Sequence, residues 1–262
     1  MLRSPIITIM IAAARKAART LIRDFGEVEH LQVSVKGPGN FVTAADRRVE
    51  EILHRELAKA RPAFGFLMEE RGRIPGSDPS HEWMIDPLDG TTNFLHSIPL
   101  FAISIALVKD GVPIAGVVFN PISDELYVAE KGRGAFVNER RLRVAARREL
   151  ADCVVCCGIP HSGRGDPARF RAELAAVQNQ VAGVRRTGAA ALDLAWIASG
   201  RFDGFWERGL SPWDLAAGMV LIREAGGFVT DLDGSDDLFA KGSVCAGNEL
   251  IQKQLLTVLQ GA

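Results

Sequence analysis

The chain has 262 residues, 47% hydrophobic and 24% charged, with 31 Lys and Arg against 32 Asp and Glu. That length and balance describe a globular chain able to bury a large core, as one domain or two intimate halves. A formal net charge of -1 gives no overall field to draw in nucleic acid, so a nucleic-acid partner is not expected; no apolar run is long enough for a membrane span, and no repeat is present.

In chain order, Arg3 and the apolar run from Pro5 to Ala14 imitate a secretory leader. The run continues through Arg15-Lys16-Ala17-Ala18-Arg19 into Leu21, Ile22 and Phe25 at helical spacing, with Gly26 as a stop, so an amphipathic helix is expected. Lys36-Gly37-Pro38-Gly39-Asn40 is expected to be a loop. Thr43-Ala44-Ala45-Asp46 opens a second helix, with Val49, Ile52, Leu53 and Leu57 on its apolar side. Thr43 and Asp46 stand at capping-box spacing, which gives Asp46 a structural reason to be there. Phe64 to Met68 reads as a strand delivering Glu69 and Glu70 into a Gly-, Pro- and Ser-containing loop, Arg71 to Glu82, expected to be mobile.

The chain centres on Trp83-Met84-Ile85-Asp86-Pro87-Leu88-Asp89-Gly90-Thr91-Thr92-Asn93-Phe94. Its apolar start reads as the end of a buried strand, and Pro87 and Gly90 force a turn that leaves Asp86 and Asp89 at the strand's exit. Hard divalent cations such as Mg²⁺ take oxygen ligands of this kind, and the helical turn opened by Thr91 favours a phosphate. Turn chemistry alone also accounts for each of these residues singly.

Phe101 to Val108, Val112 to Phe119 and Glu125 to Ala129 form an antiparallel meander with Asp110-Gly111 and Asn120-Pro121 between them. A basic run from Lys131 to Arg148 follows, but Glu130, Glu139 and Glu149 interrupt it, and it reads as a solvated face. Cys153, Cys156 and Cys157 lie in a buried strand. Without a second Cys pair of matching spacing, they and Cys245 are reduced core thiols, which suits a cytoplasmic location. A helix is expected over Pro167 to Gln178, another opening at Gly188-Ala189-Ala190-Ala191, and a strand over Phe202 to Glu207. Ser211-Pro212-Trp213-Asp214 starts a helix with a cap, a first-turn proline and an acid at the third position, ended by Gly226-Gly227. Strands from Phe228 and Ser243 and a helix after Asn248 complete a layered α/β or α+β pattern.

With these pieces in place, the chain resembles the inositol monophosphatase family. Asp86-Pro87-Leu88-Asp89-Gly90-Thr91-Thr92-Asn93-Phe94 and Pro212-Trp213-Asp214-Leu215-Ala216-Ala217-Gly218 match its two signatures. The likeness extends to Phe41–Asp46, Glu69-Glu70, Gly132–Phe136 and Glu224–Gly227. The resemblance implies a layered αβαβα sandwich of the inositol monophosphatase and fructose-1,6-bisphosphatase type. It would be a single domain over 1–262, divisible near residue 140 into a metal-bearing half and a half, 141–262, that completes the substrate pocket.

The resemblance also implies roles. Glu69, Asp86 and the carbonyl of Leu88 would hold one Mg²⁺, Asp86, Asp89 and Asp214 a second, and Glu69 with waters a looser third. Metals so held would activate water for in-line displacement, with Thr91 and Asp46 orienting and deprotonating it. The N–H groups of Gly90 and Thr91 would hold the phosphate, and Asp89, the backbone at Ala190 and Glu207 the inositol hydroxyls. Glu207 reads equally well as an ordinary exposed acid. His96 and His161 are not needed as bases, and Lys36 is left outside the catalytic set. Met68 and the Ala189-Ala190 pair depart from the family pattern of Gly before the paired acids and Gly-Thr-Ala after Gly188; Met68 is expected to stiffen or redirect the approach to Glu69.

The expected reaction is hydrolysis of myo-inositol 1-phosphate by a lithium-sensitive homodimer. The rival substrates are fructose 1,6-bisphosphate, 3'-phosphoadenosine 5'-phosphate and histidinol phosphate. A nucleotide would want a basic anchor from among Arg164, Arg185, Arg186 and Arg208. A regulatory binding protein is the alternative from another class.

Overall fold

The computed structural model describes residues 4–27, 33–37, 40–160 and 165–262. Helix α1 (Pro5–Phe25) starts on Ser4, whose hydroxyl accepts the Ile7 N–H at 3.2 Å, with Pro5 in the first turn where a missing N–H costs nothing. It buries Ile7, Met10, Ile11, Ala14, Ala17, Ala18 and Leu21, the stripe its periodicity predicts. Strands β1 (Val33–Gly37) and β2 (Asn40–Thr43) pair antiparallel, so most of the expected loop at 36–40 belongs to a hairpin. Pro38, Gly39, His161 and Arg164 lie outside the described residues, as do the side chains of Lys36 and Thr43 and with them the expected Thr43–Asp46 cap. Helix α2 (Ala44–Ala60) packs against α1.

The larger sheet contains β3 (Phe64–Met68), β4 (Gly72–Ile74), β5 (Asp78–Asp89), β6 (Ala102–Lys109), β7 (Val112–Asn120), β8 (Glu125–Glu130), β9 (Gly134–Val137) and β10 (Arg140–Arg141). Their order is β10-β9-β8-β7-β6-β5-β3-β4, antiparallel except for β3 beside β5. The stretch from Arg71 to Glu82 is therefore not a free loop. It forms β4, folded back on β3, and the start of β5. The Asp78 N–H donates to the Ala63 carbonyl at 2.8 Å, and a Cβ on Gly76 would come within 2.3 Å of that same oxygen. Gly76, in the short β4–β5 connection, thus permits a close backbone approach beside the sheet.

The smaller sheet follows a 3-10 turn at Leu150–Asp152. It contains β11 (Val154–Cys157), β12 (Gly183–Arg185), β13 (Gly204–Arg208), β14 (Phe228–Thr230) and β15 (Ser243–Gly247), ordered β12-β11-β13-β15-β14. Short α3 (Thr91–Leu95) follows β5. Helices α4 (Pro167–Gln178), α5 (Ala190–Ala198), α6 (Pro212–Glu224), α7 (Leu238–Lys241) and α8 (Glu249–Gln260) belong to the second half of the chain. Strand β12 and helix α7 are too short to show a periodicity and were not expected.

Five layers result. Helices α1 and α2 cover one face of the larger sheet, α5 and α6 lie between the sheets, and α4 and α8 pack together on the outer side. A separate apolar core fills each level: Leu21, Leu53 and Trp83 in the first; Ala195, Leu215 and Phe205 in the second; Val177, Trp206 and Leu255 in the third. Helix α6 lies so close on β7 that a Cβ on Gly116 would stand 2.7 Å from the Ala217 carbonyl. That approach brings the first turn of α6 to the end of β5.

Candidate active site

Strand β5 does not stop at Ile85 as its sequence suggests. It runs on through Pro87, with a register slip: Asp86 pairs with Ser104 and Asp89 with Ala102, three residues advancing against two. Residues three apart on a regular strand face opposite ways, and the bulge removes that difference. Asp86 and Asp89 therefore both line one open cleft, together with Glu69, Leu88, Gly90, Thr91, Asp193, Glu207 and Asp214. Gly90 then takes the left-handed conformation, φ 93°, that starts α3.

Thr91 is held from two sides. Its hydroxyl lies 3.2 Å from Asp46 Oδ1 and 3.1 Å from the Leu88 carbonyl, and its single proton serves one of them at a time. Asp46, in the first turn of α2, is fully buried behind Thr91 and does not itself line the cleft. Glu69 reaches the cleft from the β3–β4 turn. Its own N–H is fixed on the Ile85 carbonyl, and the next N–H, of Glu70, on the carboxylate of buried Glu50 at 2.8 Å. The preceding Met68 is fully buried in the core beneath α1 and α2. Its side chain points away from the cleft that Glu69 lines.

Residues later in the chain line the same cleft. Asp214 occupies the third position of α6 and accepts the Ser211 N–H at 2.8 Å, so its capping role holds. Ser104 donates to the Trp213 carbonyl at 3.3 Å, tying that turn to the strand opposite Asp86. Asp89 accepts from Ala190 N–H at 3.1 Å with Oδ1 and from Ala191 N–H at 2.8 Å with Oδ2, capping α5, which has no side-chain cap of its own. The two groups expected side by side against a substrate, Asp89 and the Ala190 backbone, are thus bonded to each other. Asn93 donates to the carbonyls of Leu100 and Thr187 at 2.7 and 2.8 Å and closes the junction of the halves.

The charge balance in the cleft is strongly negative. Burial, then Glu69, Asp89 and Asp214, push the Asp86 carboxyl well above the usual range; burial and then Asp214 do the same to Asp89. Burial and Asp193 raise Glu207, with Arg186 opposing. Arg186 is the one cation among the described lining residues. Of the other anchors considered for a nucleotide, Arg185 donates to the Val184 carbonyl and Arg208 is committed to Glu173. In kind, a set of hard carboxylate oxygens with unbalanced negative charge fits a divalent cation. Among the described residues no three His, Cys, Asp or Glu groups converge tightly enough to enclose an ion as they stand. Asp86, Asp89 and Asp214 each turn an oxygen to a backbone N–H instead.

His96 is exposed at the end of α3 and does not line the cleft. In the basic run, Arg133 pairs with Glu130 and Arg147 with buried Asp203, while Arg140 and Arg141 are exposed on the edge strand β10. The four cysteines are free and buried. Sequence reasoning missed Asp193, 2% exposed, whose carboxylate accepts the Thr187 hydroxyl at 2.6 Å. Its signal was an acid within the otherwise apolar run Ala189 to Ala198.

The geometry agrees with comparison to known proteins. Residues 2–262 match the model of the inositol monophosphatase family. An inositol-1-monophosphatase of Mesorhizobium japonicum is 60% identical over 260 residues, covering 99% of this chain and 98% of that protein. A Pseudomonas aeruginosa protein named Nus factor SuhB is 42% identical over 260 residues, covering 98% and 96%. The crystal structure of extragenic suppressor protein suhB from Bartonella henselae superposes with a TM-score of 0.96 at 55% identity, covering 98% of this chain and 99% of that one. The chain belongs to the inositol monophosphatase family, and so to the phosphatases.

Proposed function

We propose that this chain hydrolyses the phosphate monoester of a polyol, inositol 1-phosphate foremost, in a Mg²⁺-dependent reaction. The observation that carries the reading is the meeting of Glu69, Asp86, Asp89 and Asp214 in one cleft beside the Asp46–Thr91 pair. Glu69, Asp86 and the Leu88 carbonyl would hold one Mg²⁺, Asp86, Asp89 and Asp214 a second, and Glu69 a third. Bound there, Mg²⁺ neutralises phosphate oxygens and acidifies water.

The chain's own groups do the rest. Thr91 Oγ1 orients the attacking water, and its bond to Asp46 Oδ1 gives the released proton a buried carboxylate to go to. The N–H groups of Gly90 and Thr91 take the phosphate. Glu207, and Asp89 as the Ala190 N–H holds it, take hydroxyls at the other end, where acceptors at set positions discriminate among polyols. By family we also infer a lithium-sensitive homodimer working in the cytoplasm on a small-molecule phosphate monoester.

The test is phosphate release from inositol 1-phosphate beside fructose 1,6-bisphosphate, 3'-phosphoadenosine 5'-phosphate and histidinol phosphate, with Mg²⁺ and with a chelator. Mg²⁺-dependent preference for inositol 1-phosphate, lost in Asp86→Asn, supports the reading. Preference for another substrate overturns the hydroxyl contacts. No turnover of any of them brings forward the regulatory binding role, which neutralising Arg140 and Arg141 would then probe.

A further inference from the structure

Gly158 lines the cleft directly after β11. The parallel register places Cys157 opposite Trp206, and the Gly158 N–H donates to the Trp206 carbonyl at 3.2 Å, so the next residue on β13, Glu207, stands beside the glycine. A Cβ on Gly158 would lie 1.8 Å from the Glu207 Cδ and 2.0 and 2.3 Å from its two carboxylate oxygens. Other glycines lining the cleft meet different neighbours: Gly90 meets the Leu100 carbonyl and Ala189, and Gly188 meets the Arg186 guanidinium. Gly158 is not among the glycines with positive φ, so backbone conformation does not require glycine here. What requires it is the space the carboxylate fills.

We infer that Gly158 is a positioning residue for substrate selection: the side chain it lacks is the seat of the Glu207 carboxylate, and any larger residue drives that carboxylate away from the hydroxyl end of the cleft. The inference rests on the reading of Glu207 as a hydroxyl acceptor. Because the carboxylate is the far end of a flexible side chain, it gives way more readily than the strands do, and Gly158→Ala is expected to fold with Glu207 displaced.

A double-mutant cycle on inositol 1-phosphate tests this. Glu207→Ala is expected to lower kcat/KM about tenfold, the loss of roughly one well-made polar contact. Gly158→Ala should cause a similar fall, mainly through KM, and the double variant should stay within about twofold of Glu207→Ala alone, since the methyl then displaces nothing. An effective Glu207→Ala combined with a silent Gly158→Ala, or with multiplying effects in the double variant, overturns the inference alone. A silent Glu207→Ala overturns both the hydroxyl role and the inference. Should Gly158→Ala fail to fold, the double variant is expected to recover the melting temperature of Glu207→Ala, and its failure to do so counts against the inference.

Discussion

The Asp89 carboxylate accepts the N–H of Ala191 at 2.8 Å, joining residues 102 positions apart. One side chain at the end of β5 thereby both faces the cleft and caps α5. Asp89→Ala leaves N–H groups at the start of that helix without their acceptor, a loss of about 1–3 kcal/mol. Asp89→Asn keeps an amide oxygen for one of them. Both variants are expected to be inactive, but the alanine form should melt at a lower temperature, as differential scanning fluorimetry would show; equal melting would deny the cap.

Removing Asp46 tests the proton route. Asp46→Asn keeps a partner for the Thr91 hydroxyl but not a base, and kcat is expected to fall about 10²- to 10⁴-fold with KM nearly unchanged. Stopped-flow phosphate detection with Mg²⁺ at saturation separates this from weakened metal binding. A fall in metal affinity instead of kcat would place Asp46 in a purely structural role.

Crowded carboxylates make stability depend on a cation. Burial and mutual repulsion raise Asp86 and Asp89, so ionising them costs the folded state. Added Mg²⁺ should raise the melting temperature of chelator-treated protein, and Asp86→Asn should raise it without metal while weakening the response to Mg²⁺. A wild-type melting curve indifferent to Mg²⁺ would argue against the ligand set.

Asp193 has a defined pH signature. Burial raises its carboxyl to about 7, against the lowering effects of Thr187 and Arg186. Between the ordinary carboxylate range and that value the folded chain keeps a proton that the unfolded chain has lost. Stability therefore falls as pH rises through this window, by at most about 1.4 kcal/mol per pH unit. Asp193→Asn can still accept from Thr187 and is expected to flatten this slope in urea titrations at pH 4 to 7.

The thiols should be silent. Burial raises Cys153 to about 11 and Cys157 to about 12, and raises Cys156 and Cys245 as well. Ellman's reagent at pH 8 is expected to find almost no thiol in the native protein and all four after urea. Fast native labelling would point to an accessible thiolate.

The strongest local signals were those read correctly. Ser211, Pro212 and Asp214 announce α6, because caps and first-turn prolines act within a few residues. The apolar strands β6 to β8 declare themselves for the same reason. The missed features depend on partners distant in sequence. Gly72, Gly76 and Pro79 made the 71–82 stretch look like loop, whereas β3 and β6 recruit it into the sheet. The bulge that turns Asp86 and Asp89 to the same side is set by pairing with β6, and Asp89's hold on α5 by tertiary contact; neither leaves a local trace.

Helix α6 lies between β13 and β14 in the chain but covers the larger sheet, whose last strand ends at Arg141. During synthesis, the face built by Met84, Ala102, Ala106, Val118 and Ala129 therefore waits for α5 and α6, from residue 190 onward, for its helical cover. A chain cut short before Pro212 would lack Asp214 and also leave that face covered by α5 alone, without α6. Such a product is an adhesive fragment rather than a weak enzyme, to be found in the insoluble fraction.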